Sequence, residues 1–528
     1  MNRRSLLAIL ILVSTSAFAQ EGAKNLPAWR GEQPARAAHG MVVSVHHLAS
    51  DAGLEVLRAG GNAVDAAVAT GFALAVVHPV AGNLGDGGFL LLRTHGGKTT
   101  FIDFREKAPL AATETMYQDA GGKVIPDASV TGYRSIATPG SVAGLAYAER
   151  KYGKLGLARV ISPAIRLASD GFELTAEEAR ELADPDLSKF ADSKRIFQRD
   201  GKLYKTGETF KQPELARTLQ RIAADPEDLY HGKMAQELIN DLKKGGALLR
   251  LEDLAQYNVV EREPIVGTFH DYTVISAPPP SSGGVVLVSA LNILEGYDLT
   301  KLGDRTPESM HLIVEAYRRA FMDRAEYLGD PDYNRIPIAE LIAKKYADAW
   351  RATIDPRRAT ASSALQRPAG LVPPPPKTAG HRIETPETTH FSVVDAEGNA
   401  VAMTTTINNN FGSDVTAGSL GFLLNDEMDD FAAKAGVANI FLLAAEQGLN
   451  IQEAVDAPRF HHQYLPDKLY VEPGFSAQTL AELRAMGYTV DVKDGHWSNG
   501  ECIAVDPETG ELMGGQDHRS HYGKAAGY

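Results

Sequence analysis

Thr388 heads a stretch, TTHFSVVDAEGNAVAMTTTINNNFGS (Thr388 to Ser413), whose residue types could support acyl transfer. A threonine hydroxyl is a poor nucleophile alone and a good one when a free α-amino group sits beside it as base. An unperturbed α-amino group has a pKa of about 7.7–8.0, already near working pH. Cleavage of the Glu387–Thr388 bond would therefore give one residue both nucleophile and base. Thr389 is the competing hydroxyl by sequence position.

Such a residue needs a rigid support, and the pattern around it predicts one. Thr389, Phe391, Val393 and Asp395 alternate with His390, Ser392 and Val394, the period of a strand. Glu397-Gly398-Asn399 supplies turn chemistry, and Ala400 to Ile407 is again β-rich. Thr388 then stands at the head of a strand, with Thr406 and Asn408 returning on its neighbour. The pattern alone is equally that of an ordinary hairpin, because threonine is common in strands.

Other candidates carry charge or hydroxyls. Arg105 lies in Asp103-Phe104-Arg105-Glu106, and a guanidinium offers paired donors suited to a carboxylate. It is also the kind of residue that forms a structural ion pair. Glu427, Asp429 and Asp430 suit an ammonium group, which only donates, or a solvated acidic turn. Ser281-Ser282-Gly283-Gly284 reads as a tight structural turn, since no histidine-dependent triad accompanies it. His461 and His462 are adjacent on a predicted strand and would point opposite ways, so no metal is expected. The single cysteine, Cys502, excludes an internal disulfide and reads as structural.

The elements that must hold these groups belong to a large, ordinary globular chain. It has 528 residues, 44% hydrophobic and 23% charged, with a formal charge of −14. That acidity argues against nucleic-acid binding. Arg3 and Arg4, the apolar run Leu6–Val13 and Ala17-Phe18-Ala19 form an export signal over residues 1–19, too short to span a membrane. Gln20–Ala38 reads as a loose leader. Ser50–Leu57 and Ala63–Val76 are predicted helices, the second buried rather than transmembrane. Gly85–Phe89 is a glycine-rich turn into strand Leu90–Thr94, with Thr99–Phe104 its partner. Lys151–Leu251 is largely helical, Thr268–Ser276 reads as a strand, and Val285–Gly296 and Ser309–Tyr327 as helices. Arg367–Thr385, with four consecutive prolines at 373–376, is an expected exposed linker just before Thr388.

The stretch from Thr388 resembles the γ-glutamyltransferase (glutathione hydrolase) family of N-terminal-nucleophile enzymes. The resemblance extends to His39–Ala69, His78–Phe89, IDFREKAP (Ile102–Pro109), PPPSSGG (Pro278–Gly284), FLLNDEMDDF (Phe422–Phe431), Asp456–Asp467 and the terminal AAGY. It implies an α+β fold, a four-layer αββα sandwich of the N-terminal-nucleophile hydrolase type. It also implies self-cleavage into a heavy fragment, 20–387, and a light fragment, 388–528, that stay intertwined. Thr388 would form an acyl-enzyme with a γ-glutamyl amide such as glutathione. Water, or an acceptor amino acid or peptide, would release it. By the same resemblance Arg105 binds the substrate α-carboxylate, and Asn408, Glu427 and Asp430 hold its α-amino group. Thr406 hydrogen-bonds near the nucleophile and helps processing. No cofactor, nucleic acid or membrane partner is implied, and the protein would be periplasmic or secreted.

The resemblance breaks after Asn439. Members of the family continue with a lid, a Ser-Ser segment that binds the carboxylate and a Gly-Gly segment that forms the oxyanion hole. This chain passes almost directly to Ala444–Asn450 and IQEAVDAPRF. Smaller departures are Asp86, where the family usually has glycine, and Trp497–Gly500. Alternative readings are a glutaryl-type acylase of the same fold and an uncleaved binding or scaffold relative. A serine hydrolase using Ser281 or Ser282 is the weakest.

Overall fold

The computed structural model describes residues 29–374, 388–429, 437–493 and 499–528. The signal at 1–19, Glu387, Asp430 and most of the proline-rich linker lie outside the described residues. The strands that build the site are, in chain order, β1 (Ala35–Ala37), β2 (Met41–Ser44), β3 (Gly87–Arg93), β4 (Thr99–Asp103), β5 (Val260–Arg262), β6 (Thr389–Val394), β7 (Ala400–Thr406), β8 (Cys502–Val505), β9 (Leu512–Gly515) and β10 (Lys524–Gly527). Among the helices are α1 (His47–Arg58), α2 (Ala63–Val77), α3 (Ser141–Tyr152), α4 (Pro307–Tyr327), α5 (Val437–Gln447) and α6 (Ile451–Asp456).

Period-2 patterning places β6 and β7 at the centre of a seven-stranded antiparallel sheet, order β10-β2-β6-β7-β3-β4-β5. The turn between them forms as its chemistry predicts. Gly398 has φ +84°, which favours glycine. The Asp395 carboxylate accepts from the backbone N–H groups of Glu397 and Asn399 at 3.0 and 2.9 Å, and from Ala63 N at the start of α2 at 2.9 Å.

One face of the sheet carries Phe391, Val393, Val401 and Met403, all at most 2% exposed, against helix α2. Burying each such side chain is worth about 1.5–3 kcal/mol. Helix α2 is capped by Asn62, whose side chain accepts from Val64 N and Asp65 N, and is buried almost all round. Among the described residues no helix is long and apolar enough to cross a membrane.

The other face meets a three-stranded sheet, order β1-β9-β8, through Ala37, Met41, Val43, Val394 and Leu512. Helices α5 and α6 pack together, and α6 lies against β8 and β9. The layers are thus helix, sheet, sheet, helix, the αββα order the resemblance implies.

Two local readings change. Thr268–Ser276 is not one strand. The chain forms a hairpin, Ile265–Phe269 with Tyr272–Ser276, turning at His270 (φ +49°). The end of the leader is not loose, because Ala35–Ala37 pairs with Leu512–Gly514. The linker is anchored where it begins. Arg367 bonds Asp323 and Glu326, both at 2.8 Å, and the Tyr327 hydroxyl donates to Pro373 O at 2.6 Å. The chain after the break in the resemblance closes as helix α5, whose Ile440, Leu442 and Leu443 are buried.

Candidate active site

Register separates the two candidate threonines. Thr389 pairs with Thr405 and is 1% exposed. Among the described residues its hydroxyl is buried without a hydrogen-bond partner, on the helix side of the sheet. Thr388, one residue earlier, falls on the opposite face and is half-buried. Extending the same register places it across from Thr406, which pairs on its other side with Gly87. A Cβ at Gly87 would collide with the Glu106 carboxylate, so glycine there lets that carboxylate lie against the row Thr388–Thr406–Gly87.

Beyond Thr406 the chain turns sharply. The Thr406 hydroxyl accepts from Asn408 N at 2.9 Å. Asn408 has φ +77°, in the left-handed region that non-glycine residues enter at a cost, and is 7% exposed. The conformation is held from Asp426: its backbone O accepts from Asn408 Nδ2 at 3.2 Å, and its carboxylate accepts from Asn409 N and Nδ2 at 3.0 and 2.5 Å. Burial pushes the Asp426 carboxyl up to about 7, against the pull of those two donors.

Arg105 and Glu427 come together from opposite ends of the sequence. Arg105 Nη2 and Glu427 Oε1 are 2.5 Å apart, with side-chain exposures of 24% and 3%. The Arg105 backbone is fixed at both ends: its N–H donates to Asp103 Oδ1 and its O accepts from the Tyr257 hydroxyl. Its guanidinium lies 5.7 Å from the Phe89 ring centre. Glu427 is set by Asn425, whose Oδ1 accepts from Glu427 N and Ala137 N and whose Nδ2 donates to Gly85 O and Ala137 O. Arg105 offers donors and Glu427 acceptors, so the pair can receive both ends of an α-amino acid.

Asp86 lies behind this pair rather than in it. Its backbone O accepts from Gly140 N and Ser141 N at the start of α3, and its Oδ2 accepts from Asn83 N. Burial, reinforced by the charge of Glu427, pushes its carboxyl well above the usual range.

The structure brings together Thr388 with Thr406, Thr406 with Asn408, and Arg105 with Glu427; Asp430 and Glu387 lie outside the described residues. Ser282 Oγ accepts from Arg324 Nε at 3.0 Å, a structural contact. His461 packs on Phe321 and His462 bonds Asp467, in separate directions. Among the described residues no group of three His, Cys, Asp or Glu could hold a metal ion. Cys502 is half-buried, and burial pushes its thiol up to about 12. Sequence reasoning missed Asn425, Asp426 and Glu106 as supports. For Asn425 and Asp426 the signal was polar residues wedged between the apolar run Phe422–Leu424 and Glu427, whereas Glu106 directly follows Arg105.

A sequence profile for the family described as Gamma-glutamyltranspeptidase matches residues 49–447 and 435–528. The two matches overlap at 435–447, around the point where the pattern breaks. The glutathione hydrolase proenzyme of Escherichia coli (strain K12) is 41% identical over 583 aligned positions, covering 99% of this chain and 98% of the relative. That alignment is longer than the 528 residues here, so the relative carries residues with no counterpart. Among solved structures, Helicobacter pylori γ-glutamyltranspeptidase matches with TM-score 0.60 and 44% identity, over 62% of this chain and 94% of that one. A cephalosporin acylase from Bacillus halodurans matches with TM-score 0.79 and 26% identity, over 96% and 98%.

Proposed function

The chain belongs to the γ-glutamyltranspeptidase family, and on that premise we propose that it is a self-cleaving γ-glutamyl hydrolase and transferase whose nucleophile is Thr388. In the uncut chain the Thr388 hydroxyl attacks the Glu387 carbonyl, and water opens the resulting ester. The fragments 20–387 and 388–528 remain one fold, since β6 and β7 of the second sit between β2 and β3 of the first. In the mature protein the freed α-amino group takes the hydroxyl proton as Oγ attacks a γ-glutamyl amide, and the proton passes to the leaving amine. Water or an amino-acid acceptor then releases the acyl group.

The observation that carries the substrate reading is the Arg105–Glu427 pair, whose guanidinium lies 5.7 Å from the ring centre of Phe89, the cross-strand partner of Thr404. Arg105 receives the α-carboxylate, and Glu427 with Asn408 and Asp430 receives the α-ammonium. Glutathione and other γ-glutamyl compounds have both groups on the acyl side.

The similarity to a cephalosporin acylase over almost the whole chain favours a second reading, a glutaryl-type acylase. A glutaryl group has no ammonium for Glu427. Rates on γ-glutamyl-p-nitroanilide and glutaryl-p-nitroanilide decide between them. The γ-glutamyl reading expects the first to be preferred and Glu427→Ala to erase the preference; faster glutaryl cleavage, unaffected by that change, overturns it. The N-terminal residues 1–19 support export to the periplasm or the medium, which fractionation of a host expressing the full chain tests.

A further inference from the structure

One half-buried titratable group on the face of Thr388 has no part in the steps above. His390 lies two residues from Thr388 on β6 and points to the same side of the sheet. Its cross-strand partner is Thr404, and His390 Nδ1 and Thr404 Oγ1 are 2.8 Å apart, which fixes the ring. Nε2 makes no hydrogen bond among the described residues. Burial holds the imidazole down to about 4, so it is neutral at working pH. A neutral imidazole with one nitrogen engaged offers water a donor or an acceptor at the other, whichever tautomer Thr404 selects.

The cover over this face is uneven. At the Val394 end this face is sealed by the three-stranded sheet. Towards Thr388 the cover thins: Ser392, whose hydroxyl reaches Glu501 O at 2.7 Å, Thr404, His390 and Thr388 are all half-buried. Residues two apart on a strand are separated by about 6.6 Å. One water making two hydrogen bonds of about 2.8 Å nearly spans that gap.

We propose that His390, held by Thr404, positions the water that hydrolyses the Thr388 acyl-enzyme, and so biases this chain towards hydrolysis over transfer. The water oxygen bonds to the acyl carbon while one of its protons goes to the Thr388 α-amino group. The ester C–O bond then breaks, that proton passes to Thr388 Oγ, and the free acid leaves with the remaining water proton. His390 is a positioning residue in this step and exchanges no net proton. The inference rests on the acyl-enzyme reading of Thr388.

The test compares wild type with His390→Leu, His390→Gln and Thr404→Val after confirming cleavage into two fragments. The substrate is γ-glutamyl-p-nitroanilide, with and without glycylglycine. Acylation appears as the initial burst of p-nitroaniline, and deacylation as the steady rate of glutamate release. His390→Leu is expected to keep the burst and slow glutamate release about 10- to 100-fold, the scale of a misplaced reactant. Acyl-enzyme should then accumulate on the 388–528 fragment by intact mass, and the transfer-to-hydrolysis ratio should rise. His390→Gln should recover part of the loss. Thr404→Val should reproduce it more weakly, and serves as the probe if the leucine variant does not fold. Equal losses of burst and steady rate, or an unchanged ratio, overturn the inference. A wild type that yields no p-nitroaniline overturns the reading beneath it, and the two failures are distinct.

Discussion

The two faces of the β6–β7 hairpin differ in kind. The helix-side face carries Phe391, Val393, Val401 and Met403, all sealed, and even its threonines, 389 and 405, are buried. The opposite face carries Thr388, His390, Ser392 and Thr404, all half-buried, with the Arg105–Glu427 pair nearby. A single strand therefore supplies a sealed apolar face on one side and half-buried polar groups on the other, one residue out of phase. The comparison explains why Thr388 and not Thr389 is the proposed nucleophile, although both are threonines in sequence.

The sharpest way to break the comparison is to exchange the two threonines' roles. Thr388→Ala should abolish both chain cleavage and turnover, whereas Thr389→Ala should leave cleavage intact, as judged by gel fragments. On the sealed face, Phe391→Ala should cost about 3–5 kcal/mol of stability, the usual range for emptying a buried aromatic site. Urea unfolding of the uncleavable Thr388→Ala background measures this without the complication of two fragments. Arg105→Ala removes one partner of a largely buried charge pair. Allowing for the 24% exposure of Arg105, it should cost about 2–3 kcal/mol in kcat/KM, roughly 30- to 150-fold. Arg105→Lys should recover only part, because a lysine lacks the paired planar donors.

The smallest effect concerns pH. The Asp426 carboxyl is raised to about 7 in the fold, so between the ordinary carboxylate range and pH 7 the folded protein holds a proton that the unfolded chain has lost. Asp426 thus lowers stability as pH rises through that window. Asp426→Asn should reduce the fall in urea midpoint between pH 5 and pH 8, and an unchanged fall would contradict the assigned burial effect.

Much of this was legible from residue types. Period-2 alternation and Glu397-Gly398-Asn399 located the hairpin, because side-chain period and turn chemistry are local. The family motifs pointed to Arg105, Asn408 and Glu427 as candidates, and the first and last of these meet in the fold. Sequence could not show that Arg105 and Glu427 bond each other, since 322 positions separate them. Nor could it show that Asp426 holds the left-handed turn at Asn408, which depends on a loop returning from β7. The hairpin at His270 was missed because a strand run interrupted by one positive φ reads as continuous.

The central claim is that Thr388 performs acyl chemistry on the open face of this sheet. Intact mass and N-terminal sequencing of the purified, incubated protein test it most directly. The account predicts two fragments, the smaller beginning Thr388-Thr389-His390 and ending at Tyr528. A folded chain that remains uncut, or is cut so that Thr389 becomes the new N-terminus, would contradict it.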